Sequence, residues 1–261
     1  MIEIPLMTII AGALTIGVRL TGLMLFAPFY GSMVIPARIK AILVLALTML
    51  LYPAVGHNIA SRPLMEWPFL IMTELAIGAG MGIATNLIFE AANLSGQVLG
   101  VQMGYSLVNI LDPQSQVDTP VISLFYQSIV MLLFLRMDVH YWLLRAVGNS
   151  FDYLPPGTAH VSGFFTMGIL KTVGDLFGLG VQIAAPVLSA TLAADIILGL
   201  LGKASPQMPL MLLGPAVKSL LGIVILIATL RYWPDLFRRL FMDAMTNGDR
   251  LLHLAATGIH G

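Results

Sequence analysis

From Trp67 to Leu111 the chain is largely apolar, and its only charged residues are two carboxylates, Glu74 and Glu90. A spanning helix needs about 20 mostly apolar residues to cross a hydrocarbon core of roughly 30 Å. At about 1.5 Å per residue a helical tract of this length is about twice that thickness, so it must break or leave the membrane. Inside it, Asn86, Glu90, Asn93, Gln97, Gly100 and Gly104 recur at steps of three or four residues. On a helix that spacing forms one continuous stripe. Lipid satisfies neither an amide nor a carboxylate, and a charge at the bilayer centre costs about 2.5–3.5 kcal/mol on insertion scales. The stripe therefore faces protein or water. Gly96, Gly100 and Gly104 follow one another every fourth residue, preceded by Gly78 and Gly82, a spacing that lets helix backbones approach closely.

The rest of the chain is of the same kind. It is 58% hydrophobic and 10% charged, with 13 basic and 13 acidic residues in 261, against about 25% charged in an ordinary globular chain. Too few charges remain to solvate a surface, so lipid or other subunits must cover much of it. The same figures exclude disorder and a nucleic-acid footprint. With no cysteine, disulfides, thiolate metal sites and a thiol nucleophile are excluded too. Further apolar segments lie at about 6–30, 39–55, 119–135, 176–194 and 209–230, separated by Pro- and Gly-marked loops. Met1-Ile2-Glu3-Ile4 has no basic n-region, which argues against a signal peptide. After Arg231 the pattern turns amphipathic, predicting a surface helix that starts at Pro234. The expectation is an all-α, polytopic membrane-type protein built of helical hairpins. It reads as one unit over 1–261, with a helical core at about 6–232 and an amphipathic tail at about 234–256. The excess of Lys and Arg on the side of both termini favours cytoplasmic ends.

A second stripe, Lys171, Asp175, Gly178, Gln182, Pro186 and Ser189, again follows helical spacing. Pro186 would kink the helix and free a carbonyl. Two apolar helices with polar faces suggest either packing into a larger assembly or the lining of a polar passage; holding this chain's own helices together is the simpler alternative. No catalytic pattern is present. His57, His140, His160, His253 and His260 form no His-Glu-x-x-His, so zinc is not expected. Val173-Gly174-Asp175 and Asn93-Leu94-Ser95-Gly96 each miss an intramembrane-protease motif by one residue. Gly78-Ala79-Gly80-Met81-Gly82 lacks the last glycine of a dinucleotide loop. Neither an enzyme nor a cofactor is expected. A stand-alone secondary transporter is the alternative, using the intramembrane charges Arg19, Glu74, Glu90 and Asp195 as pairs or proton relays.

Taken together and in order, a set of short motifs resembles one family. Arg19-Leu-x-Gly22 is followed by Pro28-Phe29-Tyr30-Gly31, Ile35-Pro36 and Pro53. Then come Glu74, Gly96-Gln97-x-x-Gly100-x-Gln102-Met103-Gly104 and Asp112-Pro113. Phe134, His140, Ser150 and Leu154-Pro155 precede Ala185-Pro186, Asp195, Leu198-Gly199 and Pro206-Gln207. The chain is similar over nearly its whole length to the FliR/SctT family of the type III secretion export apparatus, departing from it at Tyr30 and Lys203, where Phe and Arg are usual. The resemblance implies a non-enzymatic core subunit of a flagellar export gate in the bacterial inner membrane, at the basal body. Its partners would be FliP-like and FliQ-like subunits in a non-planar, pore-containing complex, and an FlhB-like switch protein. Unfolded proteins would pass through in transit. It also implies that the loop from Tyr105 to Pro120, with Asn109, Asp112, Pro113, Gln114, Gln116 and Asp118, plugs the lumen. That segment is polar, Pro-punctuated and free of Lys and Arg, and longer than a usual helix connection. An ordinary water-facing loop would have the same composition.

Overall fold

The computed structural model describes residues 6–32, 35–55, 64–105, 121–155, 163–205, 207 and 210–257. Among them every regular element is helical: α1 (Leu6–Phe26), α2 (Ala37–Val55), α3 (Trp67–Gln102), α4 (Val121–Arg136), α5 (Val139–Tyr153), α6 (Gly163–Ala204), α7 (Leu210–Thr229) and α8 (Trp233–Thr257). Single 3-10 turns at Leu64–Glu66 and Leu230–Tyr232 lead into α3 and α8. Proline marks the starts of helices, where its missing N–H has no acceptor to lose. Pro68 and Pro234 are the second residues of α3 and α8, and the Pro36 carbonyl accepts from Ile39 N at 2.9 Å at the start of α2.

Among the described residues five helical stretches are long and apolar enough to cross a membrane: Ile9–Phe26, Ala37–Val55, Trp67–Gln102, Thr166–Ala204 and Leu213–Arg250. Counting α4 and α5 as one broken span makes six. The break falls at Met137 and Asp138, where Asp138 takes a left-handed conformation with φ 57°, a region Asp tolerates better than most residues. The long tract beginning at Trp67 does not break within its 36-residue helix. With no proline beyond Pro68, nothing interrupts its hydrogen-bond ladder, and at about 1.5 Å per residue it outruns a hydrocarbon core. The helix containing the second stripe is longer than its uncharged core suggested, with 42 residues passing through Pro186.

The helices belong to two compact units. The first comprises 1–87, 135–174 and 241–261; the second comprises 88–134 and 175–240. In the first unit α1 and α2 form a hairpin, with Gly17 against Thr48, and Gly148 of α5 faces Leu51 of α2. Ile16, Leu20, Leu23, Ile77, Val139, Val147 and Phe151 are buried there. In the turn after α1, burial raises the Tyr30 phenol above its usual pKa, and Tyr141 adds to the effect. In the second unit Tyr126 of α4 packs at a tilt of 59° against Trp233 with centroids 4.7 Å apart, and Phe89 meets Phe134 edge-on at 5.5 Å. Both are geometries that aromatic quadrupoles favour.

Candidate functional site

Polar chemistry in an apolar chain is informative because each such group must be satisfied or left facing a partner. In the first unit two charges inside apolar helices, Arg19 and Glu74, satisfy each other. Arg19 and Glu74 are both fully buried and meet at 2.7 Å. The guanidinium also donates from Nη1 to Ser150 Oγ at 2.9 Å and from Nη2 to the Leu154 carbonyl at 3.1 Å. It lies 4.1 Å from the centre of the Phe151 ring. The surrounding backbones are close because glycines permit it. A Cβ on Gly78 would sit 2.0 Å from the Arg19 carbonyl oxygen, and one on Gly22 would sit 2.4 Å from that of Leu75. Gly82 makes the same kind of approach to Ala27. The Gly78–Gly82 spacing thus serves the crossing of α1 and α3 inside this chain.

The first stripe divides by residue type. Gly96 lets α3 touch α4, where an added Cβ would fall 2.3 Å from Ser123 Cα. Gly100 is buried. Half-buried Asn93 accepts from Gln97 Nε2 at 3.2 Å and, through the same oxygen, from the buried Ser123 hydroxyl. Asn86 is half-buried, whereas Glu90 and Gln97 are exposed, and Glu90 has Asn93 Nδ2 at 3.5 Å within its own helix. Ser95 is buried beside the stripe, its hydroxyl 2.7 Å from the carbonyls of Ala91 and Gly180. Small members of the stripe bring backbones together; its longest polar side chains point away from this chain.

The last member, Gly104, is not on the helix. α3 ends at Gln102, and Gly104 adopts φ +88°. Tyr105 N donates to the Gly100 carbonyl at 2.9 Å, and Gly104 N to that of Val101 at 3.1 Å. This is a Schellman ending, which asks for glycine at the left-handed position. The turn rests on α7: a Cβ on Gly104 would meet Pro215 Cβ at 2.8 Å, and one on Gly222 would meet Met103 Cε at 2.6 Å. Ser219 Oγ donates to the Tyr105 hydroxyl at 2.9 Å. Beside it, Asp195 of α6 takes Gln102 Nε2 at 2.7 Å on one oxygen and Lys218 Nζ at 2.9 Å on the other. Sequence reasoning placed neither Gln102 nor Lys218 in a site. The signal was there: Asp195 and Lys218 are opposite, isolated charges in two apolar segments, and such charges pair.

The second stripe stays uncovered. Lys171, Asp175, Gly178, Gln182, Pro186 and Ser189 are all exposed on α6. Pro186 lacks the N–H that would bond the Gln182 carbonyl, and the Ser189 hydroxyl donates back to the Pro186 carbonyl at 3.0 Å. Large apolar side chains on the same helix are also exposed, Phe177, Val181, Ile196 and Leu200 among them. Of the expected plug, Tyr105 is described; Asn109, Asp112, Pro113, Gln114, Gln116, Asp118 and Pro120 lie outside the described residues. Among the described residues no three His, Asp or Glu side chains converge on a possible metal position.

Comparison with known proteins gives a consistent result. The family model described as bacterial export proteins, family 1, matches residues 10–244. A flagellar biosynthetic protein FliR from Pectobacterium carotovorum is 26% identical over 226 residues, 87% of each chain. The FliR of Escherichia coli K12 is 26% identical, covering 86% of each chain. That of Bacillus subtilis 168 is 23% identical over 82% of this chain and 84% of its own.

Proposed function

The chain belongs to family 1 of the bacterial export proteins, and from that membership we propose that it is a core subunit of the flagellar type III export gate. It is a membrane component of the flagellar export apparatus, and in this reading it sits in the inner membrane at the basal body. FliP-like and FliQ-like subunits complete a channel around it, an FlhB-like protein contacts it, and unfolded flagellar proteins pass through. Its part in the mechanism is conformational: the segment from Tyr105 to Pro120 plugs the lumen at rest and yields when a substrate arrives. The energy comes from elsewhere in the apparatus.

The observation that supports this most directly is the uncovered polar face of α6. Asp175 and Gln182 stand exposed on a helix of 42 residues, and acyl chains cannot satisfy them. Glu90 and Gln97 pose the same problem on α3. Of the three carboxylates that a carrier acting alone would use, Glu74 is held by Arg19 and Asp195 by Lys218 and Gln102, which leaves Glu90. Co-purification tests the interface. Glu90→Leu should lower recovery of the partner subunits with this chain, and an undiminished complex would refute the interface. Deleting 112–118 should leave assembly intact and make resting cells leak small ions; a tight membrane would refute the plug.

A further inference from the structure

Two of the carboxylates inside apolar helices, Glu74 and Asp195, each meet a cation of this chain. Glu90 does not. It stands exposed about three turns before the end of α3, and among the described residues no lysine or arginine pairs with it. The cations of the same unit are engaged or placed elsewhere. Lys218 is held by Asp195, Lys203 ends α6, and Arg231, Arg238 and Arg239 come after α7. What the chain does offer Glu90 is a row of neutral donors. Gln97 Nε2 donates to Asn93 Oδ1 at 3.2 Å, the Ser123 hydroxyl donates to the same oxygen, and Asn93 Nδ2 approaches Glu90 Oε2 at 3.5 Å. The donors run head to tail toward the carboxylate, an order that suits an anion, but they add no positive charge. Beyond Glu90 the surface is mostly apolar: Val98 and Val101 are exposed on α3, and Leu124 and Phe125 on the neighbouring α4.

We propose that Glu90 is the anionic half of an ion pair between subunits, and that the partner laid over residues 90–101 brings a lysine or arginine to it from one of its own apolar segments. The inference rests on the export-gate reading above and adds the chemistry of the partner's contact. An apolar face that covers this stretch removes water from the carboxylate, and a countercharge must then replace that water. Because exposed apolar side chains continue past Glu90 to Val101, the carboxylate is not at the edge of the oily surface, where lipid amines lie. The cation therefore arrives on a protein side chain.

The complete complex, co-expressed in cells, tests this. Glu90→Gln keeps the shape and an oxygen for Asn93 Nδ2 and removes only the charge. It should lower recovery of the partner subunits with this chain several-fold, with the amount of the chain in the membrane fraction unchanged. Glu90→Lys should abolish recovery. In the Glu90→Lys background, each lysine and arginine in the apolar segments of the co-expressed partner subunits would be changed to Glu in turn, and one exchange should restore the complex. Recovery undiminished by Glu90→Gln would overturn the ion pair, and so would a scan in which no exchange rescues Glu90→Lys. If Glu90→Leu lowers recovery where Glu90→Gln does not, the face is an interface with no charge pair in it. Partner subunits that assemble and export in full without this chain would instead sink the underlying reading.

Discussion

A guanidinium inside an apolar bundle is tolerable only if its donors meet acceptors and its charge meets a countercharge. Arg19 achieves this with two other helices: Glu74 from α3 supplies the charge, while Ser150 and the Leu154 carbonyl, at the end of α5, supply acceptors. Ser150 is itself fixed, its hydroxyl 2.7 Å from the Val147 carbonyl. Removing one partner leaves the other charged and buried, which costs about 3–5 kcal/mol; replacing both with apolar groups of similar size costs far less. Arg19→Met and Glu74→Met should therefore each lower the melting temperature of the detergent-solubilised protein sharply, and the double variant should recover much of the loss. Additive losses would mean that the two residues are not coupled. Neither single variant tests a proton relay, because this pair is a fastening between elements.

At the scale of elements, α3 and α6 do two jobs with different faces. On α3 the glycines at 78, 82 and 96 admit neighbouring backbones, and the Schellman turn at Gly104 stops the helix and seats it on α7. Gly104→Ala should cost about 1–2 kcal/mol from the left-handed backbone alone, with further strain against Pro215, read as a lower thermal midpoint of the complex. The stripe on α6 behaves in the opposite way. A Cβ on Gly178 would meet no atom of this chain within 4 Å. Gly178→Leu should leave the amount of this chain in the membrane fraction as before, or slightly higher, since glycine is a poor helix former. Yet it should reduce co-purification with partner subunits if that face is an interface. Unchanged recovery would leave the exposed stripe without a partner at this level. A substitution that spares the level of the chain but harms the complex separates an interface from a core.

For the whole molecule, the exposed surface sets the expectation. In α2 only Thr48 is buried, most of α6 from 166 to 204 is exposed or half-buried, and exposed side chains include both oily and polar ones. Expressed alone in mild detergent, the chain should self-associate or aggregate; with FliP-like and FliQ-like subunits it should run as one defined large particle. A stable, ligand-binding monomer would favour a carrier instead. Much of this could be read directly from the residues. Low charge and long apolar runs fix a helical membrane protein, since only helices and closed barrels satisfy their backbone in lipid. A step of three or four residues fixes which side chains share a helix face, so the row Lys171 to Ser189 needed no coordinates to be recognised. Periodicity within one helix is silent about what lies opposite it. Arg19 finds Glu74 across 55 residues of chain and Ser150 across 131, and Asp195 finds Gln102 across 93. Packing alone selects those partners, because close approach depends on where glycines let two backbones touch. The division of the stripe on α3, glycines inward and Glu90 outward, was settled in the same way: helical spacing groups the six residues together, and only the neighbouring helices decide which of them are covered.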